Sequence, residues 1–353
     1  MRSLRRLPLS VLALLMLVAA ACSGGGDESA SIDDDATAPA GGVEAVQGER
    51  AVQFEGAGKA KLFGTITIPA MQAGASVPGV LLVPTSGAGG LLGIAGVNDP
   101  LGKDLAKTFA DAGVASYRYD QRGTGSSKLE PDVRLSFDDL VADARAGIDL
   151  LAQRRETAGR ELSVVGYDQG GLVALRLAAT DPRVKRVVLI STPGRSLLDL
   201  RASQLQARNG PESGEALRSE VANLIATRSV PPLDELRTEL RPLLPAEEAG
   251  LLADLYALDP AIDAAMVKVP TMIVVPAEPA PYDPQRLAAA IPGAQVVTSV
   301  GSGSTLVISG PTPEDLSDPT NPNHDHGAAP PVAPTTRDTP TLERVARFVA
   351  ATP

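Results

Sequence analysis

Six residues, Gly166-Tyr167-Asp168-Gln169-Gly170-Gly171, constrain this chain more than any other stretch. They carry the glycine frame of a sharp strand-to-helix turn, the pattern written G-x-S-x-G. Asp168 stands in the central place. Ahead of the turn, Leu162-Ser163-Val164-Val165 is a short apolar run of the length of a buried strand. Behind it, Leu172 to Ala179 consists mostly of strong helix formers. The central residue of such a turn sits in strained backbone geometry. Residues two positions away must be small, because the strand and helix backbones crowd there. Gly166 and Gly170 meet that demand.

The flanking sequence repeats strand and helix in alternation. Leu62 to Ile68 alternates and predicts an edge or antiparallel strand. Val80 to Val83 is a continuous apolar run, as a central parallel strand requires. Further strands are predicted over Val114 to Tyr119, Arg186 to Ile190, Thr271 to Val275 and Gln295 to Val300. Helices are predicted over Leu101 to Ala112, Phe137 to Gln153 and Thr341 to Ala351. Such alternation implies α/β architecture, a mostly parallel central sheet with helices on both faces. About eighty residues separate the strand ending at Ile190 from the one beginning near Thr271, more than an ordinary connection. Within them Leu197 to Ala207, Gly214 to Ala226, Leu233 to Leu240 and Ala246 to Leu258 are expected as helices.

A second motif joins the first. Tyr119-Asp120-Gln121-Arg122-Gly123-Thr124-Gly125-Ser126-Ser127 resembles the signature loop of α/β-hydrolases, most closely those of the serine-aminopeptidase and acyl-esterase-like branch. The following Leu140-Val141-Ala142-Asp143-Ala144, the elbow, and Leu258 to Val274 are similar to that family's succession of elements. The resemblance covers roughly residues 60–353. It implies an α/β-hydrolase fold over 49–353, a helical lid insertion over about 196–265 and a Pro-rich loop over about 310–339.

The resemblance also implies a triad in the chain order Ser, Asp/Glu, His, and this sequence departs from it throughout. Asp168 replaces the serine. Pro279 takes the acid position, with Glu278 and Asp283 the nearest carboxylates. Gly301-Ser302-Gly303-Ser304 follows the last strand where a histidine is expected. The oxyanion loop is Pro84-Thr85-Ser86-Gly87, leaving the backbone amides of Thr85 and Gln169 as oxyanion-type donors. The only histidines are His324 and His326, in the Pro-rich loop. A His-x-His pair has too few ligands for a metal site, so no metal and no cofactor are expected.

Three readings of Asp168 follow. The domain is a degenerate hydrolase that binds without turnover. Or Asp168 is itself the nucleophile, assisted by His324 or His326, as in the dehalogenases and epoxide hydrolases of the superfamily. Or Ser86 or Ser304 supports a different esterase or peptidase chemistry. Halide binding commonly uses Trp, which is absent, and of the paired tyrosines of epoxide opening only Tyr256 lies in the insertion. An envelope interaction protein built on the same inactive scaffold is a fourth possibility.

The N-terminus predicts export. Arg2, Arg5 and Arg6 precede an apolar stretch from Leu7 to Val18, too short to span a bilayer comfortably. Ala19-Ala20-Ala21-Cys22 resembles a bacterial lipobox, with Cys22 lipidated after removal of residues 1–21. Cys22 is the only cysteine. Residues 22–48, acidic and poor in large apolar side chains, are expected as a disordered tether. The expected partners are therefore the extracytoplasmic face of a membrane, through Cys22, and an unidentified small-molecule, lipid or protein ligand. A net charge of −10, no basic stripe and only 3% aromatic residues argue against nucleic acid.

Overall fold

A computed structural model describes residues 47–84, 97–130, 133–277, 283–301, 306–308 and 336–351. Eight strands form one sheet: β1 (Gly48–Glu55), β2 (Lys61–Ile68), β3 (Gly79–Val83), β4 (Ala115–Tyr119), β5 (Leu162–Tyr167), β6 (Val184–Ile190), β7 (Thr271–Val275) and β8 (Gln295–Thr298). Their order is β1-β2-β4-β3-β5-β6-β7-β8. β1 and β2 are antiparallel, as are β2 and β4, and every later pair is parallel. Two short strands, β9 (Val307–Ile308) and β10 (Thr336–Arg337), pair separately.

Helices cover both faces, and the central strands are buried on both. β3, β4 and β5 are buried at every position. Helices α1 (Pro100–Asp111) and α9 (Thr339–Ala350) pack on one face through Leu101, Leu105, Phe109, Leu342, Val345 and Val349. Helices α2 (Phe137–Gln153) and α3 (Gln169–Thr180) pack on the other. Ser136 starts α2 with a reciprocal capping box to Asp139. Between β6 and β7 lie α4 (Leu197–Asn209), α5 (Pro211–Thr227), α6 (Ala249–Ala257) and α7 (Pro260–Met266); a short α8 (Pro284–Ala290) precedes β8. Leu197, Leu200, Leu217, Val221, Leu252 and Leu255 continue the α2–α3 core.

The segment Leu233 to Leu240, expected as a helix, runs as turns. Pro231-Pro232 and Pro242 bound nine residues, too few to hold a helix alone. Leu236 and Leu240 instead anchor the segment as buried side chains. The helix expected over Ala246 to Leu258 is broken into a single 3-10 turn, Ala246–Glu248, and α6.

Candidate functional site

The elbow is built by crowding. Asp168, between β5 and α3, has φ 51° and ψ −123°. Its amide donates to the Ile190 carbonyl at 2.9 Å, extending the β5–β6 ladder by one rung. Its own carbonyl then accepts from Gly171 at 3.1 Å, opening α3. A Cβ at Gly166 would lie 2.7 Å from the Ala174 methyl, and one at Gly170 would lie 2.7 Å from the Pro84 carbonyl carbon. Both distances are below anything real side chains tolerate. The two glycines let strand, helix and the residue leading into Thr85 meet.

The Asp168 side chain is 3% exposed. Its Oδ2 is buried with no hydrogen-bond partner. Burial is the main influence and pushes the carboxyl up to about 6; the Arg201 guanidinium and the neighbouring Gln169 backbone amide pull it back down. Arg201 comes from α4, in the helices between β6 and β7. It was not anticipated from sequence, although its spacing carried a signal: it follows Leu197 by four residues and precedes Leu205 by four, on the helix's buried side. The same arginine influences Tyr256, whose hydroxyl burial pushes up to about 12. That hydroxyl donates to the Leu243 carbonyl at 3.1 Å, so it is engaged in packing the insertion.

The signature loop holds the same end of the sheet together. Asp120 accepts from the amides of Val97 and Ser126, both at 2.8 Å. The Gln121 side chain donates to the Pro84 carbonyl at 3.2 Å. Arg122 grips Asp143 of α2 with two hydrogen bonds, 2.7 and 2.6 Å, in a pair 5% and 1% exposed. Asp143 also accepts from the Ala57 amide at 2.7 Å. Burial raises the Asp143 carboxyl, and Arg122 opposes that rise. The sequence signal was a carboxylate on the apolar stripe of α2, three residues after Leu140.

Beyond β8 the chain is committed to a helix cap. The Ser299 hydroxyl and the Val300 amide donate to Asp338 at 2.6 and 2.9 Å, and the Thr341 hydroxyl donates to the same carboxylate at 2.6 Å. Asp338 caps α9, and these donors hold its carboxyl below the usual range against the opposing effect of burial, which is the largest single influence. Asp283 is exposed at the start of α8. Cys22, Thr85, Ser86, Glu278, Pro279, Ser304, His324 and His326 lie outside the described residues. So does the stretch from 1 to 46. Two grooves formed by described residues, of about 310 and 430 Å³, are lined by other residues than Asp168. Of the anticipated site residues, then, Asp168 and Gln169 are brought together at the elbow.

The sheet order, the turn and the loop around it define the class of architecture: the chain has an α/β-hydrolase fold. Within it, residues 95–224 match the family model described as serine aminopeptidase, S33. No curated protein matches the sequence. Among solved structures, a hypothetical protein of Pseudomonas aeruginosa is similar with a TM-score of 0.56 and 17% identity, over 85% of this chain and 92% of that one. The α/β hydrolase GrgF of a Penicillium species is similar with a TM-score of 0.50 and 18% identity, over 72% and 91%. At these identities the likeness is one of fold.

Proposed function

We propose that the chain is a cell-envelope lipoprotein whose α/β-hydrolase-like domain binds a ligand or partner and does not turn it over. One observation carries the reading. The elbow position holds a buried carboxylate, its Oδ2 without a hydrogen-bond partner, next to the Gln169 backbone amide whose counterpart donates to the oxyanion in acyl-transferring relatives. An oxyanion developing there would meet a negative charge where a catalyst places a free donor. The departures at the acid and histidine positions, Pro279 and Gly301 onward, support the same conclusion. The envelope location rests on the lipobox-like Ala19-Ala20-Ala21-Cys22 behind a charged and apolar leader.

A screen of metabolites and lipids for thermal stabilisation tests it. A ligand of the native elbow raises the unfolding midpoint of residues 23–353, and that rise disappears in Asp168→Ala. A rise that survives in the variant places the ligand elsewhere and contradicts the reading.

One observation favours a second reading, in which Asp168 attacks carbon with His324 or His326 as the base. Oδ2 is desolvated and without a partner, the condition in which a carboxylate is most nucleophilic. Trapping of a covalent ester on Asp168 by an electrophilic substrate would support that alternative over the first.

A further inference from the structure

The two edges of the sheet are built differently. β1, at one edge, carries Glu49, Arg50 and Glu55. Glu49 accepts from Arg118 at 2.8 Å, and Arg50 lies 3.6 Å from Glu156. Charges along an edge discourage a further strand from pairing there. β8, at the other edge, is Gln295-Val296-Val297-Thr298. From Ala294 to Val300 no residue is charged, and none is glycine or proline. Val296, Val297, Thr298 and Val300 all favour extended backbone.

Register fixes which groups of β8 remain unpaired. Val297 lies beside Val274 and Thr298 beside Val275, and the Ser299 amide donates to the Val275 carbonyl at 2.7 Å. Gln295, Val297 and Ser299 therefore turn their backbone groups toward β7. The amides and carbonyls of Val296 and Thr298 point the other way, and among the described residues β8 has no second neighbouring strand. The side chains of these two residues are exposed, Val296 by 41%, and Val300 beyond them is 67% exposed. Val297, on the opposite face, is buried with Val274, Leu342 and Val345.

We propose that β8 pairs antiparallel with β8 of a second copy of this chain, joining two sheets into one across a two-fold axis. The register follows from the outward groups. Val296 exchanges both backbone bonds with Thr298 of the second copy, and the axis repeats the exchange. Val297 then faces its own counterpart, and Val300 comes opposite Ala294. Every facing pair is uncharged, so the edge is complementary to itself. A strand of another protein would need to reproduce this sequence to cover Val296 and Val300 equally well. The seam is short, so the dimer is weak and reversible. The net charge of −10 on each copy opposes it, and salt relieves that repulsion. None of this depends on what the elbow binds.

The test uses residues 23–353, which keep every strand and helix described and contain no cysteine. They are sedimented to equilibrium from about 1 to about 200 µM. The expected result is a monomer–dimer equilibrium that tightens as salt rises from about 50 to about 500 mM. Thr298→Pro removes an outward amide at an edge position that tolerates proline. Val296→Lys places a charge on each side of the axis. Each should weaken the dimer about tenfold or more, with the thermal midpoint of the dilute protein unchanged. Should the proline lower that midpoint, Val296→Lys decides. Val297→Cys should oxidise to a linked dimer, and fail to do so when Thr298→Pro is also present. A monomer at every concentration, a dimer that both variants leave intact, a dimer that salt weakens, or no link through Val297→Cys overturns the proposal.

Discussion

Gly170 packs against the carbonyl of Pro84 so closely that its missing Cβ would sit 2.7 Å from the carbonyl carbon and closer still to the oxygen. That relationship joins the start of α3 to the end of β3, and it is independent of what residue 168 is. It explains how the frame of the elbow persists around a carboxylate. The glycines serve the backbone crossing, whereas the central residue serves whatever chemistry the site performs.

Gly170→Ala should therefore destabilise the domain by about 3 kcal/mol or more, since the obstacle is main chain and cannot swing aside. Chemical denaturation measures it. A loss below about 1 kcal/mol would mean that β3 and α3 separate more easily than the packing implies.

The buried Arg122–Asp143 pair makes a different prediction. Arg122→Ala strands a carboxylate that is 1% exposed and should cost about 3–5 kcal/mol. Arg122→Met combined with Asp143→Leu removes both charges and should recover part of that loss, the remainder reflecting the orphaned Ala57 amide. Equal costs for the single and double variants would contradict this account.

Asp168 should make stability depend on pH. Burial raises its folded carboxyl to about 6, above the ordinary value of 3.8. The folded state thus binds the proton more tightly than the unfolded chain. Stability is greatest below the ordinary carboxylate range and falls as pH rises through about 6, by about 3 kcal/mol for a gap of this size. Asp168→Asn, which keeps the shape and tolerates positive φ, should raise the thermal midpoint near neutral pH. The gain should shrink toward about pH 4. A gain that is constant across this range would place its origin elsewhere than in the carboxyl's charge.

Much of the fold could be read from the chain, because its central strands are continuous apolar runs and its core helices are periodic. Val80 to Val83, Thr271 to Val275 and Phe137 to Gln153 lie where their patterns put them. The half-exposed edge strand β1 was not anticipated: only alternate residues face inward, Val52 and Phe54 among them but also Arg50, with Ala51 and Gln53 exposed between them. Leu233 to Leu240 shows the converse, helix formers overruled by flanking prolines. At the site, Asp168 and its glycines stood out locally. Arg201 did not, because its electrostatic influence on Asp168 depends on where the fold places α4. Asp143 and Arg122 lie 21 residues apart in sequence and were each visible, but their pairing was not.

The claim that this elbow holds a carboxylate without catalysing is tested most directly by turnover. Purified residues 23–353 are incubated with short acyl esters, chloroalkanes and epoxides beside a heat-killed control and Asp168→Ala. The account predicts no hydrolysis above the control in either protein. Hydrolysis by the native chain that disappears in Asp168→Ala would contradict it and identify Asp168 as a working nucleophile.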